Sequence, residues 1–189
     1  MHEVSFSFFG HKPNDLGGYD EENPLNQWVK FSLKVLIGHF CSRNEKVRFL
    51  CGGHPGSELW AAEEILAYKH RHPDKDIHVQ LILPFPNLSG RKEDGESLIS
   101  KPWPEESHKR LMRVQESVDE VKVLSDGPYS AWRIRLRDEW VVENSLGAVV
   151  VKKDDIDSGP LFNVVRFSEI NKVPVCIVDP TTERIYSLQ

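Results

Sequence analysis

The chain has 189 residues, 39% of them hydrophobic and 28% charged, which is the length and balance of one globular domain able to bury an ordinary core. That composition excludes a disordered or fibrous chain, and no apolar run approaches the roughly 20 residues needed to cross a bilayer. A net charge of -5 argues against long nucleic acid as a partner in the absence of a local basic patch. The start Met1-His2-Glu3-Val4 has neither the basic nor the apolar part of a secretory signal, so cytoplasmic residence is expected. Cys41, Cys51 and Cys176 show no zinc-ligand spacing and read as reduced thiols.

Along the chain, apolar runs with strand character recur at 4–9, 47–51, 78–83, 121–124, 148–151 and 175–178. Segments with helical spacing separate most of them, an alternation that predicts βαβ units. The expected fold is a Rossmann-like α/β sandwich of three layers, with a largely parallel sheet of about 5–7 strands covered by helices on both faces. In 26–41, Val29, Leu33, Leu36 and Phe40 form one helical stripe. After Gly56, Leu59, Ala62 and Leu66 share a face, and His72-Pro73 closes that helix. A third helix at 130–144 places Trp132, Leu136 and Trp140 on one stripe and Arg133, Arg137, Val141 and Asn144 on the next. A fourth is expected over 161–172. Residues 84–105 hold four prolines and two glycines without a period, and read as a lid over a site or a mobile insertion within the single domain 1–189.

The chemistry concentrates in three loops. The strand ending at Cys51 runs into Gly52-Gly53-His54-Pro55-Gly56 and then a helix beginning near Ser57, an arrangement whose backbone N–H groups and helix dipole suit a phosphate. It matches neither the Walker pattern nor G-x-G-x-x-G, and glycines that only serve a tight turn remain an alternative. Gly10-His11-Lys12-Pro13, with Gly17 and Gly18, follows the first strand, and Asp157-Ser158-Gly159-Pro160 follows the fifth. In an open parallel sheet such loops meet along one edge, so convergence of the three into a single site is expected. Asp154, Asp155 and Asp157 suit a polar turn better than a metal, and no metal site is expected.

Phe8-Phe9-Gly10-His11-Lys12-Pro13, then Cys51-Gly52-Gly53-x-x-Gly56-x-Glu58-Leu59-Trp60-Ala61-Ala62-Glu63, then Pro84-Phe85, Arg137-Asp138 and Ser158-Gly159 resemble, in order, the YpsA-like branch of the SLOG superfamily. The resemblance implies a Rossmann-like domain for nucleotide-type ligands, in a superfamily that includes the LOG phosphoribohydrolases and the DNA-processing protein DprA. By position it implies ligand-binding roles for Gly10, His11, Lys12, Pro13, Gly17, Gly52, Gly53, His54, Gly56, Ser57, Glu58, Pro84, Phe85, Arg137, Ser158 and Gly159. Lys12 stands where the family commonly has arginine, which keeps the charge and loses the planar fork. Glu58 reads either as an acceptor for ribose hydroxyls or as a first-turn acid favouring the helix dipole, and Trp60 reads as core more readily than as a base platform.

LOG enzymes cleave an N-glycosidic bond with a glutamate of their second glycine signature, and that position here is Asn163, which cannot stabilise or attack a sugar cation. Glu58 and Glu143 are the leading substitutes, with Asp138 and Glu169 behind them. The expectation is a protein that senses or sequesters a nucleotide, NAD or ADP-ribose-type ligand, leaning away from an enzyme and without a permanently bound cofactor. A LOG-like hydrolase with a displaced carboxylate is the alternative, and a DprA-like binder of single-stranded nucleic acid is the weaker one. A homo-oligomer is expected from the five tryptophans and the family habit.

Overall fold

The computed structural model describes residues 3–155 and 157–188. Seven strands, β1 (Val4–Gly10), β2 (Lys46–Cys51), β3 (Asp76–Leu83), β4 (Glu120–Val123), β5 (Gly147–Val151), β6 (Val175–Asp179) and β7 (Arg184–Leu188), form one sheet in the order β4-β3-β2-β1-β5-β6-β7. All neighbours run parallel except β6 and β7, which pair antiparallel. The helices are α1 (Pro24–Arg43), α2 (Ser57–Arg71), α3 (Glu105–Ser117), α4 (Ala131–Glu143) and α5 (Pro160–Ile170). This is the expected Rossmann-like α/β architecture.

Side-chain alternation along each strand divides the core in two. Phe8, Phe49, Val79, Leu81, Val149 and Val151 face α1, α2 and α3, while Phe9, Leu50, Ile82, Ala148, Val150 and Ile177 face α4 and α5. Burial on both faces explains why β5 is an unbroken apolar run. Val29, Leu33, Leu36 and Phe40 do lie on the packed face of α1, and Trp60 is core at 2% exposure.

Three features go beyond what the sequence reading resolved. α3 was hidden because its buried face combines Ser107 and His108 with only two aliphatic residues, Leu111 and Val114; Pro104 followed by Glu105 and Glu106 in the first turn was the available signal. β7 is a five-residue hairpin partner of β6, set by a turn in which Asp179 accepts from Thr181 N (2.9 Å) and Thr182 Oγ1 (2.5 Å). In α4, Trp132 and Leu136 are exposed while Arg137, Val141 and Val142 are buried, so the inward stripe is the one that carries the arginine.

The switch in strand order places β1 beside both β2 and β5, and the chain departs from β1 in opposite directions on its two sides. Beyond the carboxyl ends of β1 and β5 the chain therefore runs to helices on opposite faces, α1 and α5, and leaves a crevice between them. Asn26, wholly buried in α1, fixes the first of them: Nδ2 donates to Gly18 O (3.0 Å) and Asp20 O (2.7 Å), and Oδ1 accepts from Gly17 N (3.1 Å). Asn26→Ala removes the partner of Gly17 N and of Gly18 O and one of the two donors to Asp20 O, and is expected to destabilise by about 1–3 kcal/mol; urea unfolding should show a lower midpoint at unchanged slope.

Candidate functional site

The loops after β1, β2 and β5 meet through backbone bonds. His11 N donates to Val151 O (3.1 Å), and His11 O accepts from Ser57 N (3.2 Å) and Ser57 Oγ (3.1 Å). Lys153 N donates to His11 Nε2 (3.2 Å), which fixes an acceptor at that nitrogen; burial lowers the His11 pKa, so the ring is neutral. Gly56 turns with φ +89 directly beneath His11 O, a conformation and a closeness that only glycine supplies.

Behind this junction lies a buried ionic cluster. Arg137 of α4, 1% exposed, forks onto Glu58 of α2, with Nη1 to Oε2 at 3.1 Å and Nη2 to Oε1 at 3.3 Å. Glu58 Oε2 also accepts from His54 N (3.1 Å) and lies 3.2 Å from His54 Nδ1, which in turn sits 3.0 Å from Arg137 Nη2. One imidazole nitrogen thus faces a donor and an acceptor, and the tautomer decides which it serves. Burial pushes the Glu58 carboxyl up, but Arg137 and His54 outweigh it and hold it well below the usual carboxylate range. Burial lowers His54 against the pull of Glu58.

Gly52 completes the cluster: a Cβ there would overlap Glu58 Oε2 and Arg137 Nη1. The glycine loop therefore wraps an internal carboxylate. Of its backbone donors, His54 N goes to Glu58 and Ser57 N to His11 O. Asp138, next to Arg137, is mostly buried; burial pushes its pKa up to about 7 against the opposing pull of Arg137. Its Oδ1 lies 3.0 Å from Arg137 Nε but out of line, so neither atom makes a hydrogen bond.

An open cleft of about 980 Å³ borders the cluster, running between α4 and α5. The β1 loop contributes Gly10, His11 and Lys12, the β2 side His54 and Glu58, and the β5 loop Ser158 and Gly159. Arg137 and Asp138 form part of its α4 wall, and Asn163 of its α5 wall. Pro13, Gly17, Gly52, Gly53, Gly56, Ser57, Pro84 and Phe85 do not line it. Gly53 instead faces Leu83, Leu88 and Leu111, Gly17 packs on Asn23, and Phe85 is buried against the Tyr129 ring. Glu143 is exposed at the end of α4, away from the cleft.

Residues 84–105 contribute nothing to the cleft wall. Their base is tied down by Ser89 Oγ to His108 Nδ1 (2.8 Å), Trp103 N to Ser89 O (2.9 Å) and Arg91 Nε to Trp103 O (3.0 Å). Sequence reasoning missed the apolar wall made by Trp132, Ile134, Leu161 and Phe167. Beside it on α4, Ala131, Arg135, Asp138 and Val142, at i, i+4, i+7 and i+11, line the same cleft.

With the glycine loop, the Glu58–Arg137 pair and the β5 loop in place, a family model described as the YspA SLOG family, YpsA, matches residues 6–180. The chain belongs to the YpsA family. A UPF0398 protein of Brevibacillus brevis is 27% identical over 154 residues, covering 81% of this chain and 74% of its own. One from Levilactobacillus brevis is 25% identical over 175 residues, covering 90% and 85%. Among solved structures, DNA processing protein A of Helicobacter pylori, described for its single-stranded DNA binding mode, superposes with a TM-score of 0.57 at 14% identity. The match covers 95% of this chain and 70% of that one, and shows a shared fold. Within the YpsA fold, no described helix is long and apolar enough to cross a membrane.

Glu58→Gln leaves the buried Arg137 guanidinium without its main partner and is expected to cost about 3–5 kcal/mol, read as a fall in the denaturation midpoint. The two carboxyls act in opposite directions with pH. Glu58, held low, stabilises the fold above the ordinary carboxylate range, and that contribution is lost as the solution is acidified through it. Asp138, held high, stabilises below about 3.8, and its contribution is lost as pH rises to about 7. Asp138→Asn, which cannot ionise, should therefore gain stability relative to the native protein from pH 4 to pH 7 and hold a constant offset above; thermal melts across that range check it.

Proposed function

We propose that this protein binds a nucleotide-type small molecule, of the NAD or ADP-ribose kind, in the α4–α5 cleft and holds it without cleaving it. The position of the cleft carries this reading: it opens at the β1/β5 switch point, where α/β sheets take their ligands, and joins a polar end at His11, Lys12, Ser158 and Gly159 to an apolar wall at Trp132, Ile134 and Phe167. Its volume, about 980 Å³, suits a ligand of nucleotide or dinucleotide size. Gly159 is the N-cap of α5, so that helix directs its positive end at the same mouth. The glycosidic reading is disfavoured because Asn163 occupies the α5 wall and Glu58 is locked to Arg137.

A fold neighbour that binds single-stranded DNA raises the same question here. The cleft wall carries Lys12, Arg135, Arg137 and Arg166 against Asp15, Glu58, Asp138 and Glu139, a balance that suits one small anion better than a phosphate backbone. Several basic residues elsewhere are already paired: Lys69 with Asp119, Arg110 with Glu21 and Glu63, and Arg113 with Glu106.

Calorimetric titration with AMP, ADP, ADP-ribose and NAD should give saturable binding to at least one of them. Lys12→Ala should weaken it about 10-fold or more, as expected for a lost charged contact. Chromatography of the incubated mixtures should show no free base, and a labelled oligonucleotide should bind less tightly than the best nucleotide. Absence of saturable heat with every nucleotide overturns the reading.

A further inference from the structure

Four acids line the cleft, and the structure separates them by what already occupies their oxygens. Glu58 holds both arms of Arg137 and the His54 amide. Glu139 accepts from Arg135 Nε at 2.7 Å, one turn away on α4. Asp15 lies exposed on the β1 loop, 3.9 Å from His11 Nδ1. Asp138 differs from all three: its side chain is 13% exposed and lines the cleft, its Oδ1 is turned inward 3.0 Å from Arg137 Nε, and no hydrogen bond among the described residues engages its other oxygen, Oδ2. A carboxylate oxygen that lines a cleft with no partner inside the protein is free to accept from what the cleft holds.

For Oδ2 the occupant of the cleft is the source of a donor. Arg137 cannot supply it, because its fork is turned to Glu58 and its Nε is misaligned. Lys12 is near enough to act on the Asp138 charge, yet stands exposed at the mouth with no bond to the carboxyl. A second phosphate against Asp138 would meet a like charge, so the group opposite it is a neutral donor. On a nucleotide whose phosphate lies at Lys12 and the N-terminus of α5 and whose base lies on the apolar wall, the part between the two is the sugar.

Resting on the nucleotide reading above, we propose that Asp138 is the specificity-determining residue of the cleft and accepts hydrogen bonds from the 2′- and 3′-hydroxyls of a ribose. The role that sequence offered to Glu58 passes to Asp138, two helices away, because Glu58 is saturated within the protein. The site selects ribose-bearing ligands over their deoxygenated analogues.

The test is titration of the full chain with the tightest-binding ribonucleotide of the panel and with its 2′,3′-dideoxy analogue. Above pH 7, where Asp138 is ionised, the native protein should prefer the ribonucleotide by about 10- to 100-fold, the range of a hydrogen bond to a charged acceptor. Asp138→Ala should bring the two within about 2-fold of each other by weakening the ribonucleotide and leaving the dideoxy form nearly unchanged. Asp138→Asn, which keeps an acceptor oxygen and the volume, should retain a reduced preference and confirms the site if the alanine variant does not fold. Equal affinities in the native protein, or a full preference surviving in either variant, overturn the assignment while leaving nucleotide binding intact; loss of binding to every nucleotide removes both.

Discussion

A single ion pair, Arg137 with Glu58, sets the geometry from which the rest of this molecule's chemistry follows. It joins α4 on one face of the sheet to the first turn of α2 on the other, across the carboxyl end of β2. Placing a guanidinium at 1% exposure is unfavourable unless its charge and donors are met, and here a carboxylate fork meets them. The pair chooses which stripe of α4 turns inward, leaving Trp132 and Leu136 exposed. It also fills the concavity that a glycine loop would otherwise present to an external anion. The anion seat is therefore internal, and the open volume lies one helix over, between α4 and α5.

Much of the scaffold is legible in the sequence. Period-two and period-3.6 patterns mark six strands and four helices, since apolar burial on both faces writes itself into runs such as Gly147–Val151. What escapes is where polar residues do the packing or where the element is short. α3 buries Ser107 and His108, and β7 is held by an Asp179 turn and one neighbour strand. Neither leaves a hydrophobic periodicity long enough to read.

The site is legible in location and less so in roles. Glycines and charges after β1, β2 and β5 indicate the edge of the sheet at which loops meet, and the backbone bonds of His11 join all three. Sequence cannot say which of these glycines face a ligand and which face their own protein. Gly52 and Gly53 stand side by side, one against an ion pair and the other against three leucines. Nor can it separate Glu58 from Asp138: both are acids in helices, and only the partners around them show that one is saturated and the other is not.

The space above Gly52 has a consequence for how this chain can vary. Glycine at 52, glutamate at 58 and arginine at 137 occupy one volume, so the three positions are bound into a single unit of inheritance. A lineage that replaces the charged pair with smaller apolar side chains frees position 52 to carry a methyl group, whereas one that keeps the pair keeps the glycine. Covariation among the three should therefore be stronger than between any of them and the residues of the cleft wall, and it would trace the ionic cluster through relatives too distant for overall identity to be informative.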